Sequence, residues 1–159
     1  MSDQEKAAQG GFVKPENVFL DVELASRDEL LRFVSSRAVE AGIADDEEEL
    51  FQAFLKREAE GPTGLVEGYA IPHAKAATVK DAAVVVVKAK EGIADWETMD
   101  GSPVTCAIAL LVPDAEAGTT HLRLLAQTAQ ALIDDDFRRD LHAETDPVAI
   151  AGLVNVRLG

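Results

Sequence analysis

The segment Glu67-Gly68-Tyr69-Ala70-Ile71-Pro72-His73-Ala74-Lys75 places a histidine directly after a proline, at the end of an apolar stretch. A residue that precedes proline is pushed towards extended backbone, and proline fixes its own φ and has no N–H to donate. His73 is therefore expected in a loop with a rigid base, at the end of a strand, rather than inside a helix. Near pH 7 a neutral imidazole carries a lone pair that accepts a proton or attacks an electrophile. A pre-aimed histidine is thus a candidate reaction centre.

Other residues have chemistry to offer, each with a plainer account beside it. His121 follows Thr119-Thr120 and is expected in the first turn of a helix, where the positive end of the dipole opposes protonation and free N–H groups suit an anion. The plain account is a surface polar residue at a helix start. Arg57 is either a cation complementing a helix C-terminus or a guanidinium whose planar donors match an oxyanion. Lys75 either adds a point charge beside His73 or is simply solvated. His142, beside Arg138 and Arg139, reads as structural or exposed.

Several chemistries lack their residues. There is no CxxC, HxH or HExxH spacing for a zinc site, no GxSxG elbow, and no Walker-type or GxGxxG loop. Cys106, the single cysteine, lies in the apolar run Val104–Val112 and reads as a small core residue. No metal and no cofactor is expected. A histidine nucleophile without metal or nucleotide suits a protein that receives a phosphoryl group on imidazole and hands it on.

The bulk composition narrows the class. A chain of 159 residues fits one domain with short tails and buries enough surface to need neither metal nor disulfide. Fifteen Lys+Arg stand against 29 Asp+Glu, a formal charge of −14, which argues against nucleic acid and against an anionic membrane surface. Solubility accounts for the acidity. The N-terminal residues lack the pattern of a signal peptide, and no apolar run reaches the length of a membrane span. A cytoplasmic protein without membrane insertion is the expectation.

The elements that must hold the histidine follow from local signals. Residues 1–15 are polar and small and are expected to form a flexible tail, with the domain over 16–159. Val18-Phe19-Leu20 suggests a short strand. Ser26-Arg27-Asp28-Glu29 is a capping box for a helix that Gly42 stops. The acidic run Asp45–Glu49 suits the start of a second helix carrying Leu50, Phe51, Phe54 and Leu55, with Lys56 and Arg57 in its last turn.

Beyond a Gly61-Pro62-Thr63-Gly64 loop, Ala82–Val87 reads as a buried strand, Trp96 as part of a short extended piece, and Asp100-Gly101 as a hairpin turn. Val104–Val112, apolar throughout, reads as a strand covered on both faces. Thr119 or Thr120 is expected to cap a helix with Leu122, Leu124, Leu125 and Leu132. Phe137–Ala143 reads as a short helix, and Asp146-Pro147 opens a terminal one. The outcome is an α/β fold: a mixed, mostly parallel sheet with helices on both faces, three layers in all.

Taken together, Arg57-Glu58, Gly61-Pro62-Thr63-Gly64-Leu65, Glu67-Gly68, Ala70-Ile71-Pro72-His73 and Lys75 resemble the signature of the fructose/mannitol-type (type 2) enzyme IIA domain of the bacterial phosphoenolpyruvate-dependent sugar phosphotransferase system. The likeness continues through Trp96, Asp100-Gly101-Ser102-Pro103-Val104, Val112-Pro113, and His121-Leu122 followed by Leu125, covering about residues 15–155. Val66 and Ala74 stand where the family usually has glycine, and Tyr69 where it has an aliphatic residue.

The resemblance implies a mixed sheet flanked by helices and a phosphotransferase role. His73 is then the phosphoacceptor, His121 orients the phosphohistidine, and Arg57 stabilises the phosphoryl group. Phospho-HPr is the implied donor and the cysteine of a IIB domain the implied acceptor, in fructose-type sugar uptake. The alternatives are a nitrogen-type regulatory paralogue that binds regulators according to its phosphorylation state, and a binding module with an unphosphorylated histidine. The identity of the sugar, the oligomeric state and the linkage of IIB and IIC are not written in this chain.

Overall fold

The computed structural model describes residues 11–116, 119 and 121–158. In chain order a short 3₁₀ turn (Pro15–Asn17) leads into β1 (Val18–Val22), then helices α1 (Arg27–Glu40) and α2 (Glu47–Glu60). Three strands follow, β2 (Tyr69–Ala70), β3 (His73–Ala76) and β4 (Ala83–Ile93), and then β5 (Val104–Pro113). Helices α3 (Leu122–Ile133), α4 (Asp135–Ala143) and α5 (Pro147–Leu158) complete the chain. Among the described residues, no helix is long and apolar enough to cross a membrane.

Local chemistry accounts for the helix boundaries. The Ser26 hydroxyl accepts the Glu29 N–H at 3.1 Å, while the Glu29 carboxylate reaches back to the Ala25 N–H at 2.6 Å. The capping box thus closes one residue further out than its standard form. Asp46 caps α2 through the Glu49 N–H, and Asp146 accepts the Val148 N–H at the start of α5. Asp134, unexpected as a cap, starts α4 two residues before Phe137.

The sheet is mixed, in the order β1-β4-β5-β2, with β3 continuing along the same edge of β5 as β2. The pairs β1–β4, β2–β5 and β3–β5 are parallel, and β4–β5 is antiparallel. Side chains of β4 and β5 alternate between two cores. Val84, Val86, Cys106, Ile108, Leu110 and Val112 pack with α3, α4 and α5. Val85, Val87, Val104, Ala107, Ala109 and Leu111 pack with α1 and α2. Both faces of β5 are therefore dry from Cys106 onward, which is why its sequence is apolar apart from the half-buried Thr105 near its start. The expected α/β/α layering is the observed one.

Four expectations change. Of the tail, residues 11–15 are described, and Val13 is fully buried, with its N–H and carbonyl both bonded to the Asn155 side chain at 2.9 and 2.7 Å. A valine at such a site joins the core whatever its neighbours' polarity. Trp96 lies in a bend, 2% exposed, and packs on the α1–α2 side rather than in a strand. Asp100-Gly101 does turn the chain, but within a longer connection spanning residues 94–103. Helix α3 begins at Leu122 with His121 in the N-cap position and no side-chain cap; Thr120 lies outside the described residues.

Tyr69, a departure from the usual aliphatic residue, is buried, and its hydroxyl donates to the Arg138 carbonyl at 2.7 Å. A net hydrogen bond of this kind contributes about 1 kcal/mol. Tyr69→Phe is expected to lower the urea unfolding free energy by about that amount with the m-value unchanged. An unaltered midpoint would remove this bond from the account.

Candidate functional site

His73 is the first residue of β3, in register with Leu110 of β5, and not a loop residue as its proline neighbour suggests. Pro72 has no N–H for the ladder, but its carbonyl accepts the Leu110 N–H at 2.9 Å. The edge of the sheet is therefore interrupted only at Ile71-Pro72 and resumes with the histidine.

The approach to His73 is built by a tight reversal. The Tyr69 N–H bonds the Val66 carbonyl at 3.2 Å, and the two residues between them, Glu67 and Gly68, have φ of 54° and 85°. Positive φ at both central positions belongs to the primed turns of tight hairpins. A Cβ on Gly68 would also lie 2.6 Å from the Thr105 hydroxyl. Asp100 holds the turn from outside by accepting the Glu67 N–H at 2.9 Å, while the Ser102 hydroxyl accepts the Gly68 N–H at 3.0 Å. The Asp-Gly-Ser motif thus positions the entry to the site, although it lies far away in sequence.

Two side chains converge on the His73 ring. His73 is 4% exposed, and its Nδ1 lies 2.9 Å from the Ile71 carbonyl. A carbonyl only accepts, so Nδ1 carries the proton and Nε2 the lone pair. Arg57, in the last turn of α2, donates its Nε–H to that Nε2 at 2.8 Å and its Nη1 to the Gly61 carbonyl at 2.7 Å. His121, arriving from the other side of the sheet at the start of α3, places its ring centroid 5.0 Å from that of His73. Arg57, His73 and His121 share a cleft of about 400 Å3 with Lys56, Glu60, Lys75 and Asp114.

Electrostatics keeps both imidazoles neutral. Burial is the main cause that drives the His73 pKa down to about 4; Arg57 and His121 add to the fall, while the Ile71 carbonyl and Glu60 oppose it. His121 is also lowered, first by burial and then by Lys75 and Arg57. Burial first, then neighbouring cations, thus favour a neutral His121. Its Nδ1 is buried and has no hydrogen-bond partner among the described residues. A neutral His73 with a fixed tautomer is a nucleophile at Nε2, and the surrounding cations suit an anionic product.

Lys75 is exposed on the rim of the cleft, so its functional and solvated readings coexist. His142 is exposed and lines a different cleft, with Glu67 and Arg138. Cys106 is buried in β5, its thiol pushed up to about 12 by burial. Sequence reasoning passed over Lys56, Glu60 and Asp114, whose charges read as ordinary surface. Glu58, named in the sequence only as part of the Arg57-Glu58 motif and given no role there, is 5% exposed. The signal for Glu58 was present: Phe51, Phe54 and Glu58 fall at i, i+3 and i+7, on the buried stripe of α2.

The mixed sheet thus presents a buried, proton-poor histidine next to an arginine and a second histidine. Residues 11–155 match the family model for the phosphoenolpyruvate-dependent sugar phosphotransferase system, EIIA 2, and the chain belongs to that family. It is 36% identical over 129 residues to the PTS system 2-O-alpha-mannosyl-D-glycerate-specific EIIABC component of Escherichia coli K12, spanning 80% of this chain but 20% of that protein. It is 35% identical to the PTS system fructose-specific EIIA component of Haloferax volcanii, over 79% of this chain and 80% of the relative. It is also 33% identical to a nitrogen regulatory protein of Bradyrhizobium diazoefficiens, over 87% and 89% of the two chains.

Among solved structures, the nitrogen regulatory protein IIA-Ntr of Neisseria meningitidis superposes with a TM-score of 0.81 at 26% identity, covering 90% of this chain and 96% of that one. The mannitol IIA of Escherichia coli, in its complex with phosphorylated mannitol IIB, gives 0.69 at 27% identity, covering 87% and 94%.

The depressed pKa of His73 predicts a stability signature. Between about pH 6.5, the ordinary imidazole value, and about pH 4, the unfolded chain binds a proton that the folded chain does not. Stability is thus lost as pH falls through that window and levels off below it. Urea midpoints of wild type should fall more steeply from pH 6.5 to 4 than those of His73→Gln. Equal slopes would contradict the buried neutral ring.

Proposed function

We propose that the chain is a cytoplasmic phosphocarrier that accepts a phosphoryl group from phospho-HPr on Nε2 of His73 and passes it to the cysteine of a IIB domain or protein, in fructose-type sugar uptake. The observation that carries this is the His73 ring itself, with Nδ1 tied to the Ile71 carbonyl and Nε2 facing Arg57 at 2.8 Å in an open-mouthed cleft. The P–N bond of the donor breaks as the bond to Nε2 forms, and the Nδ1 proton stays on the ring, so no base is required. Transfer of this kind depends on positioning and on neutralising charge.

Arg57 stabilises the transferred group: its Nε–H moves from the lone pair to a phosphoryl oxygen as the lone pair is consumed. His121 orients the phosphohistidine from the opposite side. Lys56 and Lys75 offset part of the charge of close to −2 that phosphorylation adds. These cations form a local positive field in a chain of net charge −14.

A second reading is a nitrogen-type regulator that uses the same phosphohistidine to select its partners. The 33% identity to a nitrogen regulatory protein over nearly the whole of both chains favours it. Both readings share the first step and separate at the second.

Incubation with phosphoenolpyruvate, enzyme I and HPr should add one acid-labile phosphoryl group, seen by intact mass under alkaline conditions. His73→Ala should add none. Arg57→Ala should slow acceptance by about a hundredfold, the scale of losing one transition-state donor. His121→Ala should accept slowly or give a phosphohistidine that transfers poorly. Label reaching His73→Ala at the wild-type rate would overturn the site. Onward transfer to a fructose-type IIB supports sugar uptake; acceptance without it supports the regulator.

A further inference from the structure

We propose that Glu58 and Thr63 are positioning residues that set the tautomer and aim of His73 and hold Arg57 against it. Both are 5% exposed. The Glu58 carboxyl accepts the Thr63 N–H at 3.2 Å and also the Thr63 hydroxyl. The Thr63 carbonyl accepts the Ile71 N–H at 3.1 Å, and the Ile71 carbonyl accepts Nδ1–H of His73 at 2.9 Å.

A second branch starts from the backbone of the same residue. The Glu58 carbonyl accepts the Gly61 N–H at 3.1 Å, and the Gly61 carbonyl accepts Nη1 of Arg57 at 2.7 Å. The two branches meet where Arg57 Nε bonds His73 Nε2. The Glu58 carboxyl thus closes the 58–63 segment, which presents the Gly61 carbonyl to Arg57 and, through the Thr63 carbonyl, anchors Ile71 beside His73.

Stability is a poor reason for this acid. A carboxyl on the apolar stripe of α2 carries a desolvation cost that a leucine at the same place would not. Its two acceptor oxygens are spent on Thr63, whose carbonyl anchors Ile71. A group that supports a reacting residue through its hydrogen bonds is worth keeping at a site that must be held within about half an ångström.

The test compares Glu58→Leu, Glu58→Gln, Thr63→Val and Thr63→Ser in the full chain, using two readouts. The first is the His73 ring tautomer, from long-range ¹H–¹⁵N correlations near neutral pH. The second is the initial rate of phosphorylation by phospho-HPr.

The Nδ1–H tautomer should dominate in wild type, and Glu58→Leu and Thr63→Val should give mixed tautomers and rates lower by about tenfold or more. Glu58→Gln keeps one acceptor oxygen and can donate to the Thr63 hydroxyl, and Thr63→Ser restores that hydroxyl. Both should return towards wild type in both readouts. If Glu58→Leu does not fold, Thr63→Val carries the test, because it preserves shape and both backbone groups.

Folded Glu58→Leu and Thr63→Val with the wild-type tautomer and rate would overturn the proposal. Lowered stability with both readouts unchanged would overturn it too, since the pair would then only hold the loop. The rate arm rests on His73 being the phosphoryl acceptor, but the tautomer arm does not. A wild-type chain that takes no phosphoryl group, with variants that still shift the tautomer, would sink the functional reading and leave the positioning role standing.

Discussion

The parallel pairing of β3 with β5 restarts at the Pro72 carbonyl, which accepts the Leu110 N–H one residue ahead of the His73 ring. β5 is the strand from which the site is measured. It carries β4 on one edge and β2, then β3, on the other, with apolar layers on both faces. Because β2 ends at Ala70 and β3 begins at His73, the break falls at Ile71-Pro72. There the Ile71 carbonyl turns to the imidazole Nδ1 instead of to a ladder partner. A backbone acceptor at the break in the sheet thus makes the bond that selects the tautomer.

The two helical layers then supply what the sheet cannot. α2 packs on one face over a surface of small residues that includes Ala70, Ala74, Ala76, Ala107 and Ala109, and its last turn brings Arg57 to the ring. α3, on the other face, starts at His121. Small side chains on one face bring a helix axis closer to the sheet, which suits the short reach between Arg57 Nε and His73. Ala74, though not the usual glycine, belongs to that small-residue surface and is 2% exposed.

The charge arrangement runs against the average of the molecule. An acidic chain generally raises the proton affinity of its histidines, yet His73 is driven down to about 4. Burial outweighs the distant carboxylates because the penalty for a charged ring in a dry site is large and local, while surface charges are screened within about 10 Å at ordinary ionic strength. Of the nearby charges, Arg57 pushes in the same direction as burial and Glu60 only partly opposes it.

Much of the fold was legible because the signals were short-range. Ser26-Arg27-Asp28-Glu29, Asp46 and Asp146 act on N–H groups two or three residues away, so their effects are readable from spacing. The apolar run of β5, broken only by Thr105, marks a strand with both faces dry. Val13 and Trp96 were misjudged because their burial depends on partners distant in the chain, Asn155 in one case and the α1–α2 core in the other. A loop at His73 is what the sequence suggests, because the proline before it hides a strand that resumes through the proline's carbonyl.

By itself, the sequence determined the periodicity of each element, the caps that bound the helices, the apolar layers, and the residue types available for chemistry. These rest on backbone sterics and on contacts a few residues apart. Only the tertiary structure decided that Arg57 and His121 meet the same ring, which of its nitrogens carries the proton, and that Glu58 faces inward to Thr63. Those outcomes depend on distances between residues brought together from separate elements and on the exclusion of water around them, and neither is a property of any short stretch of chain.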